Sequence, residues 1–323
     1  MNEILLTVII PCFNSWNRMK RCIEFFENRL PQNGEVIFID DCSSDGTYDN
    51  LSKMCQGKNN WKAFQNETNS GPGTSRNVGI QNSQGKYITF LDSDDWFEDS
   101  YFEEVIPLLE KNVDCVLYDY MNTDGKGWSQ YSSIMFCENY GEELSPQKAF
   151  VLVKGATCGK IFRRQIAIDN DLRFLPDRIG EDIPFTKCMI SYCEKIEHIR
   201  KPLYCYYQHS NSLMHSDVRF KKNYSQIGFD YISQKVNDGF EKELEAVYAI
   251  ECLSSAAVTS VRSQKRYEWK KSVQTLENRY PLYMNNAYLK FLSTRKKVVL
   301  KLISKHDYYA LRIYVSLKDK VRK

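Results

Sequence analysis

The 323-residue sequence predicts an α/β fold, a doubly wound sheet over its first two thirds followed by a helical region. Three observations carry this reading. Short apolar runs at residues 6–10, 36–39, 86–91 and 113–118 have no polar alternation, which suits parallel strands covered on both faces. Segments of helical spacing at 17–28, 47–55 and 74–82 lie between them, and strand–helix alternation of this kind builds a doubly wound sheet. After about residue 218 the pattern changes to helix throughout, with a long stretch over 241–266. Two regions follow, 1–215 and 216–323, in line with roughly 150 residues per domain. The boundary is one of composition, since no Pro/Gly linker or repeat marks it.

Each element has a local reason. The first apolar run ends at Pro11, and the helix that follows puts Met19, Cys22, Ile23 and Phe26 on one face. Ser44 or Asp45 can cap the helix that opens near Thr47. The helix from Thr74 follows the turn Gly71-Pro72-Gly73, and another is expected from near Glu98. Beyond residue 120 the sequence predicts strands at 161–162 and 202–208, with a helix over 182–193 between them.

Composition excludes several classes. With 42% hydrophobic and 26% charged residues the chain is globular. A chain of this size can bury about three quarters of its unfolded surface without disulfides or a structural metal. The net charge of +3 argues against a general nucleic-acid binder. That total hides an asymmetry: residues 295–323 carry ten Lys and Arg against two Asp, a net +8, and the rest of the chain is −5. On a helical wheel Lys297, Lys305, Arg312 and Lys323 fall within about 40° of Lys301. Val299, Leu302, Ile303, Ala310, Ile313, Tyr314, Leu317 and Val321 lie on the other side. A basic amphipathic helix is therefore expected, covering the body, a second copy of the chain in a homo-oligomer, or an anionic membrane leaflet as a peripheral contact.

The eleven cysteines contain no Cys-x-x-Cys pair, and Cys188 and Cys193 have no partner at zinc spacing, so buried thiols in a reducing compartment are expected. The first apolar run is cut by Pro11, which argues against a signal segment. The best spanning candidate, 246–261, contains Glu251 and several serines. The expected location is cytoplasmic, at most at the inner face of the membrane.

In doubly wound sheets ligands sit outside the carboxyl ends of the strands. There the sequence places Pro11-Cys12-Phe13-Asn14, then Asp40-Asp41-Cys42-Ser43-Ser44-Asp45-Gly46-Thr47, then Asn69 to Asn77, then Asp92-Ser93-Asp94-Asp95. Carboxylates crowded on one rim repel unless a cation or hydrogen-bond donors sit among them. Asp92 and Asp94 read either as an acidic turn or as a divalent-cation site on substrate phosphates. Asp40 and Asp41 read as acceptors for backbone amides or for a nucleobase or ribose. Gly71-Pro72-Gly73 matches neither phosphate-loop nor dinucleotide-binding motif, and is expected to turn tightly beside a ligand with Arg76 reaching an acid or a phosphate. Glu181-Asp182 opens a helix, as a favourable acidic first turn or as a general base. His209 and His215 follow the last strand, as polar surface or as ligands.

Taken in this order, over about residues 5–210, the motifs resemble family 2 glycosyltransferases with the GT-A fold, and among them bacterial cell-surface polysaccharide and wall teichoic acid glycosyltransferases. The resemblance implies inverting, metal-dependent transfer of a hexose or N-acetylhexosamine from a UDP-sugar to a hydroxyl of a glycan, lipid-linked or polymer acceptor. By it, Pro11, Phe13, Asn14 and Asp41 form the nucleoside pocket, and Arg76 lies near the uracil or the phosphates. Asp94, with Asp92 beside it, holds Mn²⁺ or Mg²⁺ on the diphosphate, joined by His209, and Ser93 belongs to the nucleotide-sugar-binding set. Asp182, beside Glu181, is the base. Phe13 stands where many relatives carry Tyr, which keeps stacking and removes a hydroxyl. Two other classes remain, a nucleotidyltransferase and a non-catalytic nucleotide-sugar-binding subunit. The first lacks its usual glycine-rich, arginine-containing N-terminal loop.

Overall fold

The computed structural model describes residues 3–137, 139–141, 143–176, 180–208 and 224–321. The chain divides into two compact units, Met1–Ile134 with Lys154–Ser212, and Met135–Val153 with Leu213–Lys323. The segment 135–153 therefore belongs with the helical unit, an excursion that composition does not signal. The boundary expected near residue 215 lies outside the described residues.

The first unit is built on one mixed sheet. Its strands are β1 (Leu6–Cys12), β2 (Gly34–Asp40), β3 (Trp61–Gln65), β4 (Tyr87–Phe90), β5 (Trp96–Phe97), β6 (Cys115–Thr123), β7 (Ser129–Ser132), β8 (Lys160–Arg163) and β9 (Ile196–Tyr207). They lie in the order β3-β2-β1-β4-β8-β6-β9-β5, with β7 on β6. β1 pairs in parallel with β2 and β4, and β2 with β3. Only this half is the parallel sheet that the apolar runs predict. The run at 113–118 becomes part of β6, which reaches the sheet through antiparallel β8. β9 returns parallel to β6 with an irregularity at Tyr118–Tyr120. The order reverses at β1, and the carboxyl ends of β1, β2 and β4 bound the crevice this creates.

Packing explains the local choices. Every residue of β1 and β2 is buried, as strands covered on both faces must be. Helix α1 (Lys20–Arg29) turns in Cys22, Phe25 and Phe26, and α2 (Thr47–Cys55) turns in Leu51. Helix α3 (Pro72–Asn82) presses close on β1: a Cβ on Gly79 would lie 2.3 Å from Ile9 Cγ2. Helix α4 (Tyr101–Leu109) starts later than expected because Trp96 and Phe97 are taken up by β5, opposite Cys205 and Tyr204. The Phe97 ring stacks on Tyr101 at 3.8 Å and meets Phe25 and Tyr204 edge-on. Full burial of each such ring contributes roughly 1.5–3 kcal/mol. Two short helices have no clear sequence signal, α5 (Pro146–Leu152) and α6 (Arg164–Asp169), while α7 (Asp182–Ser191) lies within its expected span. All eleven thiols are free, and only Cys42 is exposed.

The second unit contains α5 and the helices α8 (Tyr224–Lys235), α9 (Glu241–Val247), α10 (Ser254–Arg262), α11 (Arg266–Arg279), α12 (Thr294–Ser304) and α13 (Tyr308–Val321). A π-helical turn, Tyr248–Leu253, joins α9 to α10. The resulting stretch Glu241–Arg262 is long and apolar enough to cross a membrane, with a mean hydropathy of 1.3, but 71% of its apolar window is buried within the protein.

The single amphipathic helix expected over the basic segment is instead two helices. The chain breaks after α12, with His306 in the left-handed region at φ 54°. Helix α12 buries Val299, Leu300 and Ile303, and α13 buries Tyr308, Leu311 and Val315. The break resets the helical phase, so Ile313 and Leu317, which share the apolar face of the single-helix wheel with Val299 and Ile303, are 62% and 61% exposed.

Candidate active site

On one side of the crevice, the loops after β1 and β2 are stitched together by hydrogen bonds. Asn14, at φ 45°, donates its backbone N–H to Ser43 Oγ at 2.8 Å and accepts the Ser44 N–H on Oδ1 at 2.9 Å. Thr47 Oγ1 accepts the N–H groups of Ser15 and Trp16, both at 3.1 Å. Pro11 is buried in β1, and the Phe13 ring beside it is 46% exposed. Asp40 accepts from the Ser43 N–H and hydroxyl and from Gln65 Nε2, so it folds its own loop. Asp45 accepts the Thr47 N–H at 3.0 Å, but the N-cap of α2 is Gly46, at φ 81° and with no side-chain cap, so neither Ser44 nor Asp45 holds the capping position expected of it.

Asp41 is more committed than its place on the rim suggested. Its Oδ1 accepts from Asn66 Nδ2 and the Ser70 N–H, both at 2.9 Å, and its Oδ2 from the Gly71 N–H at 2.7 Å. A carboxylate offers about four acceptor positions. Asp41 therefore uses three of these on the 66–71 loop, which leaves one for the nucleobase contact expected of it.

On the other side, one guanidinium gathers three carboxylates. Arg76 is 4% exposed. Its Nη2 donates to Asp92 Oδ1 at 2.9 Å, and its Nη1 to Glu181 Oε1 at 3.0 Å and Asp182 Oδ1 at 3.2 Å. Arg76 thus reaches acids of its own chain, one of the two kinds of partner its position suggested, and through Asp92 it borders the turn expected to hold a cation on the diphosphate. The backbone explains why. Gly71, at φ 89°, turns the chain into α3, and a Cβ on Gly73 would lie 2.9 Å from both Glu181 Cγ and the Leu175 carbonyl oxygen. Asn77 clamps Phe174, accepting its N–H and donating to its carbonyl, both at 2.9 Å. The glycines thus admit the acidic segment of the protein itself against the first turn of α3.

Electrostatics follow the geometry. Burial opposes the Arg76 charge, but Asp182, Asp92 and Glu181 outweigh it and hold the guanidinium more firmly protonated than usual. Burial, with the neighbouring Asp182 carboxylate, pushes the Glu181 carboxyl up to about 8 against the pull of Arg76. Asp95, buried and beside Asp94 and Asp92, is also pushed well above the carboxylate range. It is turned inward, accepting from the Tyr204 hydroxyl at 2.6 Å and the Tyr207 N–H at 2.7 Å. Ser93 and Asp94 lie half-buried between it and Asp92.

Lys160 was not anticipated. It is wholly buried on β8 and donates to the carbonyls of Ala156 and Cys158. Burial pushes it down to about 8, with Asp182 among the groups that oppose the fall. A lysine opening an apolar strand was the only signal for it. His209 and His215 lie outside the described residues. Among the described residues, no three His, Cys, Asp or Glu side chains converge into a metal cage.

A sheet whose acid-lined crevice sits at the strand-order switch defines an α/β protein that takes its ligand at the carboxyl ends of its strands. The chain belongs to glycosyltransferase family 2, whose profile, Glycosyl transferase family 2, matches residues 7–179. Glycosyltransferase GlyA of Streptococcus pneumoniae serotype 4 is 26% identical over 222 residues, which is 64% of this chain and 31% of GlyA. TarS of Staphylococcus aureus, a poly(ribitol-phosphate) beta-N-acetylglucosaminyltransferase, is 30% identical over 206 residues, 62% of this chain and 35% of TarS. The chain thus matches about a third of the length of these relatives. Among solved structures, S. aureus TarS 1–349 in complex with UDP-GlcNAc has a TM-score of 0.69 at 18% identity, covering 98% of this chain and 92% of that one. The mannosyltransferase PcManGT from Pyrobaculum calidifontis, in complex with GDP-Man and Mn²⁺, gives 0.57 at 14%, covering 94% and 87%. Both are likenesses of fold.

Proposed function

We propose that this chain is a metal-dependent, inverting glycosyltransferase that moves a hexose or N-acetylhexosamine from a UDP-sugar to a hydroxyl of a bacterial surface glycan or polymer. The observation that carries this is the Arg76 hub, which joins the acidic turn after β4 to the acidic start of α7 within 3.2 Å. Family membership supports the reaction class, and the UDP-GlcNAc bound by TarS supports the donor class.

Asp182 is 28% exposed and can receive the proton of an acceptor hydroxyl as that oxygen attacks the anomeric carbon. One base suffices for a single displacement, unlike the carboxylate pair of a retaining glycosidase. Arg76 fixes the carboxylate orientation, and Glu181, protonated near neutrality, adds no second negative charge beside the base. Phe13 offers an exposed ring for the nucleobase, on a loop held by Asn14.

Asp92, with a side chain 43% exposed, and Asp94 suit Mn²⁺ or Mg²⁺, which typically binds through one or two carboxylates completed by substrate phosphates rather than through an all-protein cage. A cation held there supplies Lewis-acid stabilisation of the charge left on the departing nucleotide. The test is UDP release from a panel of UDP-sugars with a glycan or polymer acceptor and Mn²⁺. Turnover with at least one donor is expected. Transfer left unchanged by both Asp94→Asn and Asp182→Asn would falsify the mechanism.

A further inference from the structure

We propose that the outward face of α13 is a docking surface for an anionic lipid bilayer. Tyr309, Ile313 and Leu317 recur every four residues on this helix and are 58%, 62% and 61% exposed. With Arg312 and Ser316 they line a surface depression of about 340 Å³. Cations border the stripe. Arg312 is exposed, and Arg266, from the start of α11, sits 5.2 Å over the Tyr309 ring with Nη1 3.3 Å from its hydroxyl. Lys301 and Lys305 are exposed in the same basic segment, which carries the net +8 of residues 295–323.

The chemistry favours one occupant. An apolar stripe carrying a tyrosine and bordered by guanidinium groups matches the layered character of a bilayer interface, with anionic headgroups above acyl chains. A second copy of this chain fits less well. The stripe runs over nine residues of helix, about 12 Å from end to end. Three side chains fall short of the roughly 800 Å² per partner of a stable interface. A two-fold contact would also set this basic segment against itself. The inner face of α13, carried by Leu311 and Val315, is already buried within its unit, so the outer stripe is not needed for folding.

The test is co-sedimentation of the full chain with vesicles of phosphatidylcholine containing phosphatidylglycerol, against vesicles of phosphatidylcholine alone. Binding to the anionic vesicles, weakened by salt, is expected. Ile313→Glu with Leu317→Glu should weaken it by about tenfold or more. Arg266→Ser with Arg312→Ser, which keeps the apolar stripe, should remove the preference for phosphatidylglycerol. Unchanged circular dichroism and thermal midpoint show that the variants remain folded. Absence of wild-type binding, or equal binding by wild type and both variants, overturns the proposal. So does a dimer in light scattering that Ile313→Glu abolishes while vesicles stay unbound. Binding is read without turnover, so it stands or falls separately from the transferase reading.

Discussion

Asp41 and Asp182 belong to the same acid-lined rim, yet their carboxylates are satisfied in different ways. Asp41 accepts two backbone amides and an asparagine of the loop that follows β3. Asp182 leans on a guanidinium that it shares with Asp92 and Glu181. Neutral amides fixed in a loop take most of the acceptor capacity of a carboxylate and tie its position to that loop. A shared arginine holds carboxylates in place while leaving oxygen edges for a proton or a cation, because one guanidinium has fewer donors than three carboxylates have lone pairs. Position in the sequence does not separate the two kinds of aspartate; their donors do.

The comparison breaks most sharply at the two aspartates themselves and at the arginine. Asp182→Asn preserves shape and removes the base, so kcat should fall by about 10²–10⁴. Its thermal midpoint should move by no more than about 2 °C, measured by scanning fluorimetry beside UDP release. Arg76→Met leaves the buried Glu181 carboxyl without its hydrogen-bond donor, which costs about 1–3 kcal/mol, and removes the positive charge between Asp92 and Asp182. Loss of both activity and midpoint is expected. Arg76→Lys should recover stability in part but not activity, since a single ammonium cannot reach three carboxylates in the geometry of the fork. An active Arg76→Met enzyme would remove the hub from the mechanism.

Much of this was legible in the residues. The continuous apolar character of residues 6–10 and 36–39 announced buried parallel strands, and Thr47 opens α2 at the expected place. What escaped depended on contacts across long separations. The role of Arg76 hangs on Glu181, 105 residues away, and on the missing side chain of Gly73 that lets the two segments meet. The Asp41 loop depends on amides 29 and 30 residues on, which no local motif encodes. The basic segment misled for a different reason: a helical wheel assumes one unbroken helix, and a left-handed His306 ends that assumption. The sequence carried the breaker only as Lys305-His306-Asp307, without the Gly or Pro that usually marks a stop.

Asp41→Asn should show the opposite signature to Asp182→Asn. An asparagine amide would turn a donor towards either the Asn66 side chain and Ser70 N–H or the Gly71 N–H, and the neutral oxygen makes weaker bonds to the donors it keeps. A loss of about 2 kcal/mol is expected, or roughly 4–8 °C in the thermal midpoint. In kinetics the donor KM should rise, with kcat changed little. If kcat fell and KM held, Asp41 would belong with the chemistry.

The smallest effect sits at Glu181 and is read through pH. Its carboxyl is pushed up to about 8 in the folded protein, from an ordinary value near 4.5. A group raised in the folded state binds its proton more tightly there than in the unfolded chain. Its contribution to stability is therefore complete below about pH 4.5 and is lost as pH rises through about 8. Glu181→Gln cannot titrate and should lack this component. Between pH 5 and pH 8, the wild-type midpoint should fall relative to that of the variant by a few degrees, short of the full shift because at pH 8 the carboxyl is only about half ionised. The comparison is made without added metal, so that Asp92 and Asp94 respond alike in both proteins. Parallel midpoints across this range would mean that Glu181 is already ionised beside Asp182, and that Arg76 balances all three carboxylates as charges.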